Sequence, residues 1–300
     1  MLPKQEISSY IQSSVKEFER ALRESFPDTL QIPQNLRESM EYSLFAGGKR
    51  MRPVLLFATM DACAVERTSA FPVACAIEWI HTYSLIHDDL PAMDDDDMRR
   101  GMPTNHIRFG EAIAILAGDA LLTQAFELVT RTMQLGTPPE VVIALIRELA
   151  IAAGPGGMVG GQVLDLASET EKTDLKGLEA IHTHKTGDLI VYALRAGGWL
   201  AGASEVQMAA LTSFGSAIGL AFQIQDDLLD VIGDAEKIGK PLNSDEKNKK
   251  ATYPALLGIE EAKKRVADLT DHAKSSILQA GFVNPKPLIA LADYLLKRDH

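Results

Sequence analysis

Apolar residues recur at every third or fourth position through almost the whole chain, and this period constrains the fold more than any other feature. Ile7, Ile11, Val15, Phe18 and Leu22 step along one face near one end, and Ile259, Ala262, Val266, Leu269, Ala273 and Ile277 do so near the other. A 3.6-residue period sets such side chains on one stripe of an α-helix, whereas a strand needs alternation, and no convincing alternating run occurs. Breakers cut the pattern at Pro33, Gly47-Gly48, Pro91 with Pro103, Pro138-Pro139, Gly154 to Gly157, Pro241, and Asn284 to Pro287. Roughly ten helices of ordinary length would fill the chain. No linker is long or polar enough to divide it and no fixed-period repeat appears, so residues 1–300 are expected to form one all-α domain, a large helical bundle. The segments around 110–152 and 186–222 are apolar on most faces, as central helices or helices at an oligomer interface are.

Composition narrows the function classes. Hydrophobic residues are 46% and charged residues 24% of the 300, the balance of a globular chain. No uninterrupted apolar run approaches the roughly 18 residues a bilayer span needs, so no membrane insertion is expected. The opening "MLPKQEISSYIQSSVKEF" lacks the apolar core of a secretory signal and carries acid that a transit peptide avoids, which makes the cytoplasm the expected location. Cys63 and Cys75 lack metal-ligand spacing and sit in apolar stretches, so they are expected as reduced core residues. The formal charge of −11 argues against nucleic-acid binding. Yet the basic residues are grouped: "GGKRMR" at 47–52, Arg99-Arg100, and the span from Lys237 to Lys250. Such islands in an acidic chain suit a small polyanion better than a polymer.

Two acidic clusters face those islands in the sequence. "HDDLPAMDDDD" at 87–97 crowds carboxylates that repel one another unless a cation or water lies among them. Solvated surface acid is the plain reading of such a run taken alone. Asp88 and Asp94 are six residues apart, which on a regular helix would separate them, but Pro91 ends or kinks the helix and lets "LPAM" bulge so that Asp94 returns toward Asp88. The second cluster, "FQIQDDLLDVIGD" at 222–234, sets Asp226 and Asp230 one turn apart with Gln223 on the same face, among apolar neighbours that predict a largely buried helix. Oxygen-only donors with open positions suit Mg²⁺ completed by substrate phosphates. An EF-hand starting at Asp94 fails, because Arg99 stands where that loop needs glycine and Asn105 where it needs glutamate.

Paired acidic motifs, each followed by basic residues, are the layout for clamping a diphosphate through bridging metals. In this the sequence resembles the trans-prenyl diphosphate synthases, and among them most closely the bacterial farnesyl diphosphate-forming enzymes. The resemblance runs end to end through "GGKRMRP", "HTYSLIHDDLPAMDDDDMRRGMPTNH", "GEAIAILAGDALL", "GGQVLDL", "HKTG", "FQIQDDLLDVIGD" and "GK" followed by "KKATYPALLG". It implies the all-α isoprenoid synthase fold with a central apolar cavity, a homodimer, and three Mg²⁺ held by Asp88, Asp94 and Asp226 on the diphosphate of an allylic substrate. It assigns Arg99, Lys185, Thr186, Gln223, Lys240 and Lys250 to that allylic diphosphate, with Lys185 and Arg99 joining the three aspartates as catalytic residues. It assigns Lys49, Arg52, His81 and Arg100 to isopentenyl diphosphate. The implied reaction is ionisation of the allylic diphosphate, attack by the isopentenyl double bond, and loss of a proton for which released diphosphate is the implied base. No side-chain nucleophile is needed.

Rival readings leave different marks. A terpene cyclase would share the metal motifs, but four candidate cations for a second diphosphate argue for a second substrate. A non-catalytic helical subunit could lose its acidic clusters, and here both are intact. "GGK" at 47–49 lacks the spacer and Ser/Thr of a P-loop, and "GPGGMVGG" is expected as a helix break with close helix packing. Product length separates farnesyl from geranylgeranyl synthases. Tyr83 and Ser84, five and four residues before Asp88, are the implied determinants, with an aromatic at the former resembling the fifteen-carbon enzymes.

Overall fold

A computed structural model describes residues 4–26, 31–170, 172–232 and 251–296. Their contacts group into two compact units, Ile11–Phe57 with Glu66–Ile146, and Met1–Tyr10 with Ala58–Val65 and Arg147–His300.

The first of these units is built from α1 (Lys4–Glu24, from Ile11 onward), α2 (Gln34–Leu44), α3 (Met51–Ala62, its first residues), α4 (Ala70–Asp88), α5 (Asn105–Phe109), α6 (Glu111–Thr130) and the start of α7 (Pro139–Ala153). The apolar stripe of α1 is the buried one: Ile7, Ile11, Phe18 and Leu22 are all inside. Helix α4 is enclosed on nearly every face, with Trp79 and Ile80 fully buried, and it packs along α6. Its Glu78 is the one acid in this apolar stretch, and a buried carboxylate needs a partner. Arg50 provides it, donating at 2.6 Å to Glu78, at 2.7 Å to Glu19 and at 2.8 Å to the Leu44 carbonyl. This tie gathers α1, the end of α2 and α4 beneath the glycine loop at 47–48.

The other unit holds α8 (Met158–Ser168), α9 (Leu175–His182), α10 (Asp188–Ala201), α11 (Glu205–Ile232), α12 (Tyr253–Leu257), α13 (Ile259–Gln279) and α14 (Lys286–Leu296). Helix α11 packs against α10 and α13. Around its last turns Ala221, Ile224 and Leu228 form one core with Leu178, Tyr253, Ala262 and Val266. The stripe expected on 259–277 is therefore real, with Ala262, Val266, Ala273 and Ile277 buried.

The breakers fall where the sequence puts them. Pro33 precedes α2, Gly47-Gly48 separates α2 from α3, α4 stops at Asp88 before Pro91, Pro139 opens α7, and Gly154 to Gly157 divides α7 from α8. Pro241 lies outside the described residues. Helices outnumber the ten expected: fourteen are described, because Gly110 and Gly202 also end turns and short helices fill the connections. The stretches 111–135 and 139–168 have the length and mean hydropathy of membrane spans. The first carries Asp119 and Glu127, and the second is broken at Gly154, so neither is an uninterrupted apolar run. The described strand structure is one tiny hairpin, Met98–Arg99 paired antiparallel with Met102–Pro103. Its two-residue turn, Arg100-Gly101, has φ of 52° and 76°, as the twist of a tight hairpin demands.

Candidate active site

Candidate side chains occur in both units, and each set is built locally. In the unit containing α4 the helix ends at Asp88, and the following "LPAM" loops out as Pro91 requires. The Asp94 amide then donates to the Asp88 carbonyl at 2.9 Å, and the Asp95 amide to the Leu90 carbonyl at 3.2 Å. Asp94 to Asp97 are exposed, Asp88 is half-buried, and Asp89 between helix and loop is buried. Among the described residues no three acidic, histidine or cysteine side chains converge on one point. Asp88 and Asp94 offer carboxylate oxygens only, a donor type that suits Mg²⁺ with positions left for water and phosphate.

The two adjacent arginines part company at the hairpin turn. Arg99 makes a fork to the buried Asp89, Nε at 2.7 and 2.9 Å and Nη2 at 2.6 Å, with Asp96 at 3.7 Å. Arg100 turns instead to the Gly47 carbonyl, and its guanidinium lies so close over Gly48 that an added Cβ would meet it at 2.9 Å. Asp89, Arg99 and Arg100 line a small cleft with Tyr42, Leu85 and Asn105.

Near Arg100 positive charge is concentrated beyond its neutralisation. Burial lowers the pKa of Arg52, against the pull of Glu78, and its buried Nε has no hydrogen-bond partner. Burial likewise lowers that of Arg100, again opposed by Glu78, while Arg50 and Arg99 lower it further. His81 is held well below the ordinary histidine range, by burial first and then by Arg52, Arg100, Arg50 and Arg99, so it stands neutral among cations. Arg50 behaves differently: its burial is outweighed by Glu78 and Glu19, which hold it above its ordinary value. Glu78 is thus shared among more guanidiniums than it can neutralise. Lys49, next to Arg50 in the chain, is exposed. Arg52, His81 and Arg100, three of the residues expected to meet a second diphosphate, therefore lie in one locale, and its surplus of positive charge is what an anion would offset.

Five and four residues before Asp88, Tyr83 is buried and Ser84 half-buried. Burial, with the Asp88 carboxylate adding to it, raises the Tyr83 phenol to about 12. The Ser84 hydroxyl donates to the His81 carbonyl at 2.9 Å.

In the unit containing α11, the "HKTG" residues fall in a single π-helical turn, Thr183–Gly187, of the kind that interrupts helices at functional positions. Glycines make room for it. A Cβ on Gly161 would lie 2.1 Å from the Lys185 amide nitrogen, and one on Gly219 would lie 3.0 Å from the Gly187 Cα. The close packing expected of "GPGGMVGG" thus falls on its last glycine. Lys185 Nζ is 2.6 Å from Asp165 Oδ2, and Thr186 donates to Gln223 Oε1 at 3.0 Å. Gln223 in turn reaches Asp226 at 3.5 Å. Lys240 and Lys250 lie outside the described residues.

One expectation is corrected here. The apolar neighbours of the second cluster predict buried Asp226 and Asp230, but Asp226 is exposed and Asp230 half-buried. The buried acid is Asp227, which accepts from the Tyr253 amide at 2.9 Å and lies 3.5 Å from His182, whose ring stacks on Tyr253. Helical geometry explains the difference, since residues one apart point about 100° away from each other. Sequence reasoning also passed over Arg50 and Asp165 and left the role of Asp89 open. Glu78, alone in an apolar run, was the signal for Arg50; no comparable signal marks Asp89 or Asp165 before their partners are seen.

Comparison with known proteins identifies the family of the chain. The sequence model of the family "Polyprenyl synthetase" matches residues 33–280. The chain is 50% identical over 273 residues to a farnesyl diphosphate synthase of Geobacillus stearothermophilus, covering 91% of this chain and 92% of that one. It is 48% identical to a geranylgeranyl diphosphate synthase of Cyanophora paradoxa, covering 89% of each. Its fold superposes on the crystal structure of an FPP/GFPP synthase from Zymomonas mobilis with a TM-score of 0.85 at 38% identity, covering 97% of this chain and 99% of that one.

Proposed function

The chain belongs to the polyprenyl synthetase family, and on that premise we propose that it is a farnesyl diphosphate synthase that joins isopentenyl diphosphate head-to-tail to dimethylallyl and then geranyl diphosphate. The observation that carries this reading is the grouping of Arg50, Arg52 and Arg100 around neutral His81, with the buried Arg52 Nε left without a hydrogen-bond partner. An enzyme that only ionises one prenyl diphosphate has no use for a second anion site of this kind, which disfavours a cyclase.

Lys49, Arg52, His81 and Arg100 hold the isopentenyl diphosphate and aim its double bond. Asp88, Asp94 and Asp226 supply carboxylate oxygens to Mg²⁺, three ions by family resemblance. When bound, Mg²⁺ supplies Lewis-acid neutralisation of the charge developing on the departing diphosphate. Arg99, Lys185, Thr186 and Gln223, with Lys240 and Lys250, grip that diphosphate. The allylic C–O bond breaks with its electron pair leaving on oxygen, the isopentenyl double bond attacks the allylic carbon, and a proton leaves to restore a double bond. Tyr83 closes the far end of the tail pocket and stops growth at fifteen carbons.

Two further parts of the reading concern its setting. Helix α6 leaves Ile115 and Leu116 exposed, and α8 leaves Val163 and Leu164 exposed, faces that favour a homodimer. The enzyme works in the cytoplasm.

The test is chromatography of dephosphorylated products after the purified protein is incubated with isopentenyl diphosphate, dimethylallyl diphosphate and Mg²⁺. Farnesol is the expected main product. Failure to consume isopentenyl diphosphate would overturn the reading, and geranylgeraniol as the main product would move the protein to the twenty-carbon branch.

A further inference from the structure

His87, immediately before the first acidic motif, has no part in either diphosphate-binding set. Its Nε2 is 3.1 Å from the Ile115 carbonyl on α6. A carbonyl can only accept, so the imidazole carries its proton on Nε2 and pins α4 to α6 at this level. The ring fits only because residue 118 is glycine. A Cβ there would lie 2.1 Å from His87 Nε2, 2.5 Å from Cδ2 and 2.8 Å from Cε1, closer than any of these atoms can tolerate. Glycine is a poor choice for the middle of a helix such as α6, so the notch answers the need of the ring rather than of the helix.

On its other side the imidazole meets the ring of Tyr83, one turn earlier on α4, with centroids 5.7 Å apart and planes at 76°. This is the favoured edge-to-face arrangement of two rings. Tyr83 is only 6% exposed, so its ring has few alternative positions while the imidazole stays seated.

We infer that His87, seated in the notch at Gly118, is the positioning residue that fixes the ring of Tyr83 and thereby sets the length of prenyl chain the enzyme releases. The inference rests on the reading of Tyr83 as the end of the tail pocket. Gly118 acts one step further back: a side chain at 118 displaces the imidazole, and the displaced imidazole frees the phenol. A specificity determinant thus lies on α6, away from the two residues of α4 to which length is ordinarily assigned.

The experiment compares the twenty- to fifteen-carbon product ratio of wild type, Tyr83→Ala, His87→Ala, Gly118→Ala and the double variant Gly118→Ala/His87→Ala, with thermal melting of each. His87→Ala should raise the ratio about two- to tenfold, the span an edge-to-face ring contact covers as an equilibrium factor. Gly118→Ala should raise it in the same direction. In the double variant the added methyl meets no ring, so the ratio should match that of His87→Ala alone, a non-additivity that independent structural damage would not produce. Should Gly118→Ala fail to fold, His87→Ala alone decides. If Tyr83→Ala lengthens the product while His87→Ala leaves the ratio unchanged, the positioning role is overturned and the pocket reading stands. If Tyr83→Ala itself leaves the ratio unchanged, the pocket reading fails and takes this inference with it.

Discussion

The amide of Asp94 donates to the carbonyl of Asp88 at 2.9 Å, closing the loop that Pro91 opens at the end of α4. Two residues that a continuous helix would point apart are thereby joined through backbone. Removing one carboxylate leaves the loop closed, so chemistry and folding are separable here.

Asp88→Ala and Asp226→Ala are each expected to lower turnover on the order of a hundredfold or more, as loss of a group that stabilises developing charge does. Circular dichroism and melting temperature should stay close to wild type. Chelation should reproduce the loss and added Mg²⁺ should reverse it. Near-normal rates for either folded variant at saturating Mg²⁺ would remove that aspartate from the proposed metal site.

Arg99 and Arg100 face different partners, so their alanine variants should fail differently. Arg100→Ala should raise KM for isopentenyl diphosphate and hardly change stability, because an exposed side chain away from the core typically contributes within about 0.5 kcal/mol. Arg99→Ala should impair use of the allylic substrate and also destabilise the fold by about 1–3 kcal/mol, since the buried Asp89 loses its fork. Kinetics with each substrate varied in turn, beside urea unfolding, separates the two. Identical kinetic defects would refute the division of labour.

These contrasts also mark how far the sequence could be read. Helical period and breakers are properties of neighbours along the chain, so the α1 and α13 stripes, the Pro91 loop and the Gly154 break were all legible. The grouping of Lys49, Arg52, His81 and Arg100 came from family resemblance, and of these Arg52 and Arg100 both act electrostatically on His81. What stayed hidden depends on contacts between distant segments. Arg50 with Glu78, Arg99 with Asp89, and Lys185 with Asp165 leave no trace in spacing. The exchange of Asp227 for Asp226 as the buried acid turns on one residue of helical phase, which a local apolar count does not resolve.

His81 offers a pH test. Burial, then Arg52 and the neighbouring arginines, push its folded pKa well below the ordinary value of about 6.5. Between those two values the unfolded chain binds a proton that the native state refuses, so stability from neutral His81 is complete above about pH 6.5 and is lost as pH falls toward the folded value. His81→Asn removes this dependence. Urea unfolding of wild type and variant between about pH 7.5 and about pH 5.5 should show wild type losing more stability on acidification, by at most about 1.4 kcal/mol per pH unit. Parallel curves would mean that His81 titrates alike in both states.

The last prediction sets Tyr83 against its neighbour. Tyr83 is buried and lies five residues before Asp88, about 7.5 Å along the helix axis from the proposed metal end of the pocket. A growing tail that meets its ring must displace packed atoms, and overfilling a packed site typically costs about 1–3 kcal/mol. Such a penalty biases release without forbidding elongation, so wild type should make mainly fifteen carbons with a minor longer product. Tyr83→Ala should relieve it and shift the main product to twenty carbons or beyond. Ser84 should matter far less: its hydroxyl is already engaged by the His81 carbonyl at 2.9 Å, and Ser84→Ala removes one oxygen without opening space. Chromatography of both variants under one substrate ratio decides the matter. If Ser84→Ala lengthens the product as much as Tyr83→Ala does, the stop is set by the whole turn of α4 rather than by the phenol ring.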